Sequence, residues 1–191
     1  MTSSLSGPAA LSQPESHQIF RAVLDALSRP GIPASLPEHP LPRVLLPVMA
    51  LADLEAPVAV IEESGEYAEL VRTITGAEIV EPTRARIVDV TRPLSEGELT
   101  TLCRGTILAP EAGALTFLTV PDFESGPRWT LIGPGIDGQQ AVRISGLPAD
   151  FLTARQVLVG GFPTGVDFVF VTPDGRAIGL PRTTHVIEED S

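Results

Sequence analysis

Apolar side chains recur along this chain at two periods, and the switches between them mark out the elements. Ile19, Phe20, Val23, Leu24 and Leu27 share one face at 3.6-residue spacing, and Arg29-Pro30-Gly31 stops the run. The spacing predicts a helix from Ser16, preceded by a Ser-, Pro- and Ala-rich arm over residues 1–15 that reads as flexible. A proline-dense stretch, 32–47, leads into a second apolar segment, helical from about Val44 to Asp53. Val58 to Ile61 is a short run of strand type. Tyr67, Leu70, Val71 and Ile74 then stand at i, i+3, i+4 and i+7, with Gly76 placed as a helix C-cap. Ala85 to Val90 reads as strand. Ser95 and Glu98 have the S-x-x-E spacing of a capping box ahead of Leu99, Leu102 and Cys103, which predicts a helix start.

Leu115 to Val120, Trp129 to Ile132 and Ala141 to Ser145 read as three further strands, and a helix from about Ala149 to Val159 is ended by Gly160-Gly161. Val166 to Val171 and Arg176 to Leu180 flank Thr172-Pro173-Asp174-Gly175, a turn signal that makes them an antiparallel hairpin. Strands interleaved with helices, followed by hairpins, predict an α/β fold in three layers, a mixed β-sheet flanked by helices. The 191 residues suit one domain, set at 16–187 and followed by an acidic tail, 188–191, that reads as solvated.

Charge narrows the range of partners. The formal net charge is −11, and all thirteen basic residues are arginine. An acidic chain gains nothing from counterion release on DNA or RNA, and anionic membranes repel it. No nucleic acid and no membrane partner is expected. The first twenty residues carry no cationic and apolar leader, and Val44 to Leu54, the most apolar stretch, is broken by Pro47, so a cytoplasmic location is the expectation. A hydrophobic share of 43% points to apolar surface covered in a subunit interface. Cys103 is the one cysteine, which excludes internal disulfides, the four-thiolate iron–sulfur cluster and multi-cysteine zinc sites.

Candidate chemistry is sparse. Gly133-Pro134-Gly135-Ile136-Asp137-Gly138 matches G-x-G-x-x-G, but the residues after it alternate like a strand where a dinucleotide site needs a helix. A tight turn between antiparallel strands is the reading. Pyridoxal phosphate is held by enzymes as a Schiff base on a lysine amine, and this chain has no lysine. Arginine cannot replace it, because the guanidinium stays protonated. No G-x-S-x-G elbow is present, His17, His39 and His185 are scattered, and no local metal signature exists, so no metal is assigned. Cys103 reads as a buried packing residue on the apolar face of a capped helix. Two segments remain. In Gly105 to Ala114, Glu111 is a lone carboxylate in a loop bounded by proline and glycine. In Leu180 to His185, Arg182 stands beside Thr183, Thr184 and His185, a set of forked, hydroxyl and imidazole groups suited to phosphate or phosphonate oxygens. The plainer alternatives are a solvated glutamate, ordinary strand threonines, and an Arg182 paired with a surface acid.

Five stretches taken in order resemble one family. They are Phe20-Arg21 with Ser28, Pro30 and Gly31; Gly105-Thr106 with Ala109 to Ala114; Leu131 to Ile136; Phe162-Pro163 with Gly165-Val166-Asp167; and Pro181 to Val186. Together they span residues 16–186 and resemble PhnH, the H subunit of the bacterial carbon–phosphorus (C–P) lyase core complex. The resemblance implies a fold similar to the large domain of pyridoxal-phosphate-dependent transferases, in a homodimer that binds no such cofactor. It implies assembly with the G, I and J subunits, with L acting alongside. G, H, I and L together would replace the adenine of ATP by a phosphonate at ribose C1, giving ribose 1-methylphosphonate 5-triphosphate from methylphosphonate. A separate radical iron–sulfur subunit would later cleave the C–P bond. The resemblance names no catalytic acid, base or nucleophile, and the 32–47 and 121–128 segments depart from its pattern.

Three functions compete on this reading. The first is a synthase subunit, part of a transferase, whose Arg182 and neighbours touch the phosphonate or the triphosphate of ATP. The second is a non-catalytic scaffold dimer that docks the other subunits. The third is a free-standing hydrolase with a metal held by His17, His39 and His185.

Overall fold

The computed structural model describes residues 10–188. Helices α1 (Gln13–Ser28), α2 (Leu46–Leu51), α3 (Glu66–Thr75) and α4 (Phe151–Val159) are interleaved with eleven strands among the described residues. The strands are β1 (Ala34–Ser35), β2 (Val58–Ile61), β3 (Ile87–Val90), β4 (Arg104–Thr106), β5 (Ala109–Gly113), β6 (Leu115–Thr119), β7 (Arg128–Ile132), β8 (Gln140–Arg143), β9 (Asp167–Val171), β10 (Arg176–Leu180) and β11 (His185–Glu188). Six of them form a mixed sheet in the order β1-β10-β9-β6-β3-β2, parallel from β9 to β2 and antiparallel at β10 and β1. The parallel strands follow one another without a reversal of order, so the sheet lacks the switch-point crevice used by doubly wound nucleotide folds.

Strand alternation sorts the core into two halves. Val169 and Val171 of β9 and Phe117 of β6 point to one face, where they meet Ile19, Val23 and Ala26 of α1, Leu46 and Val48 of α2 and Val71 of α3. Gly179 of β10 lets α1 lie close, since a Cβ there would stand 2.4 Å from the Ala26 carbonyl oxygen. Phe168 and Phe170 of β9, with Leu118 of β6, point to the opposite face. That face is covered by a second, three-stranded antiparallel sheet, β11-β7-β8, together with α4. Phe151 of α4 stacks on Trp129 of β7 at 5.6 Å between ring centroids and meets Phe168 edge-on at 5.4 Å. The three layers are therefore helices, mixed sheet, and small sheet with one helix; helices alone flank only one side.

Several expectations hold in detail. Gly76 caps α3 in the left-handed conformation, and β9 and β10 form an antiparallel hairpin closed by the Thr172–Gly175 turn. Gly133 to Gly138 joins the antiparallel strands β7 and β8, as the turn reading required.

Others need correction. Helix α1 begins at Gln13, inside the expected arm, because Ser12 and Glu15 close a reciprocal capping box; residues 1–9 of that arm lie outside the described residues. Glu188 of the expected tail ends β11, while 189–191 lie outside the described residues. The helix expected after Ser95 is a single 3₁₀ turn, Glu98–Thr101. Gly97 enters it with φ +82° and Leu102 leaves it extended, so the turn cannot propagate. Cys103 accordingly lies on no helix face; it is half-buried, and its thiol donates to the Ala112 carbonyl at 3.4 Å. The segment around Glu111 is not a loop but the β4–β5 hairpin, set apart from both larger sheets.

Candidate functional site

Strand β10 ends at Leu180, and Pro181, which has no N–H to extend a ladder, begins the crossover that carries the chain to β11 in the second sheet. The Thr184 N–H closes a turn onto the Pro181 carbonyl at 3.0 Å. Helix α4 lies against this turn. Between them is a cleft of about 570 Å³ lined by Arg155, Gln156, Thr183, Thr184 and His185, with Leu152, Val159, Phe162 and Val186 as apolar walls. The fold thus brings Arg182, Thr183, Thr184 and His185 to one cleft. Glu111 lies elsewhere, exposed on β5, lining a second cleft with Arg86, Asp53 and Glu55. Arg182 stands at the border of both.

The side chain of Arg182 is committed to the protein. Its guanidinium forks onto Asp167, with Nη2 at 2.7 Å and Nε at 3.1 and 3.2 Å from the carboxylate oxygens, and its backbone N–H donates to the same carboxylate at 2.7 Å. Nη1 donates to the carbonyls of Pro110 and Pro163 at 3.0 and 3.2 Å. Four of its five N–H donors are used, tying β9, β5 and the loop before β9 together. Asp167 is therefore the acid that answers Arg182.

Arg155 was missed by the sequence reading, which passed it as one more residue of a helix. A signal was available: Phe151, Ala154, Arg155 and Leu158 share the i, i+3, i+4, i+7 stripe that α4 buries, so an arginine occupies an apolar position. Arg155 is 5% exposed. Its Nη2 donates to the Pro181 and Thr184 carbonyls at 2.7 and 2.8 Å, and this clamp sets the crossover turn. Carbonyls accept hydrogen bonds but cannot neutralise a charge, and among the described residues no carboxylate forms an ion pair with Arg155. Its Nε is buried without a hydrogen bond, as is the Thr184 hydroxyl. Burial pushes the Arg155 guanidinium down to about 10, with Asp167 pulling the other way.

Chemically the cleft offers donors: a guanidinium, hydroxyls and an imidazole. Among the described residues no three His, Cys, Asp or Glu side chains are grouped so as to hold a metal ion. His17 stands exposed on α1, His39 accepts from the Leu41 N–H through Nδ1 at 3.1 Å and has its Nε2 3.8 Å from Glu15 of α1, and His185 lies on β11. No helix among the described residues is long and apolar enough to cross a membrane.

Fold and site define a three-layer α/β protein with a polar cleft between a helix and a strand crossover. The chain belongs to the bacterial phosphonate metabolism protein family PhnH, whose model it matches over residues 10–187. It is also 30% identical, over 173 residues, to HtxG of Stutzerimonas stutzeri, whose name carries a provisional assignment as a C–P lyase subunit. That match covers 91% of this chain and 86% of the relative.

Proposed function

We propose that this chain is a subunit of a C–P lyase system for phosphonate utilisation, and that it works as a homodimer in the cytoplasm with the G, I and J subunits of a core complex. With G, I and L it takes part in forming ribose 1-methylphosphonate 5-triphosphate from ATP and methylphosphonate, with release of adenine. The observation that carries this reading is membership of the phosphonate metabolism family over nearly the whole chain. The gathering of Thr183, Thr184 and His185 with Arg155 at one cleft supports it, because hydroxyl, imidazole and guanidinium donors suit a phosphonate or triphosphate oxygen, while Arg182 beside them is held by Asp167.

The fold on this reading is that of the large domain of pyridoxal-phosphate-dependent transferases, turned to a use without the cofactor. The absence of any lysine supports that part, since no side chain here can form the aldimine. The working test is reconstitution. Adenine release from ATP and methylphosphonate by the G, I and L subunits should require this chain; equal release without it rejects the assignment.

A second reading, a non-catalytic scaffold, is favoured by one observation. Ile107 and Leu108, at the tip of the β4–β5 hairpin, are 78% and 96% exposed, which suits a contact with another subunit. Serine at both positions should then release the other subunits while leaving the melting temperature unchanged. Full assembly by that variant removes the hairpin from the interface.

A further inference from the structure

We propose that the cleft between α4 and the Pro181–Thr184 crossover is an oxyanion site for a phosphoryl or phosphonyl group, anchored by Arg155 and Thr184. The inference shares with the functional reading only the choice of this cleft. It starts from a charge left unanswered. A guanidinium taken out of water needs a counter-charge, and Asp167, the acid whose charge acts on Arg155, already holds Arg182 in a fork. Arg155 is left with two carbonyl contacts, an unbonded buried Nε, and no ion pair among the described residues.

The second observation comes from Thr184, on the crossover rather than on the helix. It is 2% exposed, and its hydroxyl is buried without a partner although it borders the same cleft. A buried hydroxyl left unbonded costs stability, so two such groups from different elements at one cleft describe a place built for something absent from the chain. A tetrahedral oxyanion satisfies both: two of its oxygens accept from the Arg155 donors, and a third accepts from Thr184. Thr183 and His185 stand at the open side of the cleft, both exposed. Leu152, Val159 and Phe162 give the organic substituent an apolar wall, which distinguishes the site from one for a bare inorganic ion.

The test is calorimetric titration of the full-length chain with inorganic phosphate, methylphosphonate and ATP, repeated on R155Q and T184V. Binding of methylphosphonate or phosphate by the wild type is expected, weakened about tenfold or more in R155Q. Stronger binding of methylphosphonate than of phosphate identifies a phosphonyl ligand, and stronger binding of ATP a phosphoryl one. Because R155Q also loosens the crossover turn, T184V is the sharper probe. Replacing an unbonded hydroxyl by an isosteric methyl should leave the melting temperature unchanged or higher while weakening binding severalfold. No heat from any of the three probes, or equal binding by both variants, overturns the site. The readout is binding by this chain alone, so that failure leaves the subunit assignment, tested by reconstitution, standing.

Discussion

Among the described residues, the two faces of the mixed sheet each bury one ionisable group without an ionic partner, and the two groups resolve the problem differently. Asp89 of β3 is 1% exposed, with neither carboxylate oxygen hydrogen-bonded. Burial, with Glu62 adding repulsion, pushes its carboxyl well above the usual carboxylate range, so the group can shed its charge by keeping its proton to higher pH than an exposed acid. Arg155, beneath the opposite layer, has no such exit. Burial lowers it to about 10, which leaves it cationic at neutral pH. A buried acid can be silent; a buried guanidinium must be answered. Only the second points outside the chain, and for that reason the cleft rather than Asp89 carries the functional argument.

The largest expected effect comes from removing the answer that Arg182 already has. Asp167→Asn should destabilise the protein by about 2–3 kcal/mol in chemical denaturation, because a mostly buried guanidinium loses its carboxylate. The same change removes the acid whose charge acts on Arg155, so phosphate should bind severalfold more tightly. Weaker phosphate binding by a folded D167N would break the contrast between the two arginines.

Asp89 gives an intermediate effect with a definite sign. Its folded pKa lies above the unfolded one, so the unfolded state loses its proton first as pH rises. Stability should therefore fall with pH above the ordinary carboxylate range, by at most about 1.4 kcal/mol per pH unit, until Asp89 ionises in the fold. Asp89→Asn should flatten that slope. A wild-type profile with no such decline would place the charge, not the neutral acid, in the core.

The smallest effect belongs to a pair whose charges are both answered at the surface. Glu98 is lowered to about 2, first by Arg92 and then by the Ser95 N–H. Its contribution is present above the ordinary glutamate range and lost as pH falls towards 2. Arg92 and Glu98 are about a third exposed, so Glu98→Gln should cost no more than about 1 kcal/mol at pH 7. A larger loss would show that solvent screens this edge less than its exposure implies.

Local chemistry made much of the fold legible. Gly76, the Asp174-Gly175 turn and the alternation in β6, β7 and β9 each act within a few residues, and each element stands where its pattern put it. Expectation failed where distant residues decide. Glu98 satisfies the capping spacing, and its carboxylate does accept from the Ser95 N–H at 2.6 Å. It is shared with Arg92, however, and Gly97 and Leu102 break the helix on either side. The second sheet over Phe168 and Phe170 could not be read from strand periods, because those periods do not say which strands pair. At the site, the Pro181–His185 segment was visible as a concentration of donors. The saturation of Arg182 by Asp167, fifteen residues away, was not. Arg155 was written in the helical stripe, but its meaning depends on carbonyls 26 and 29 residues further along the chain.

If an unanswered Arg155 is what this subunit brings to its system, its loss must show in turnover. Adenine release from ATP and methylphosphonate would be followed with reconstituted G, I and L subunits and the R155Q chain, with assembly checked by gel filtration. The expected result is an intact assembly whose release falls tenfold or more, in step with the lost binding. Wild-type release from that intact assembly would contradict it.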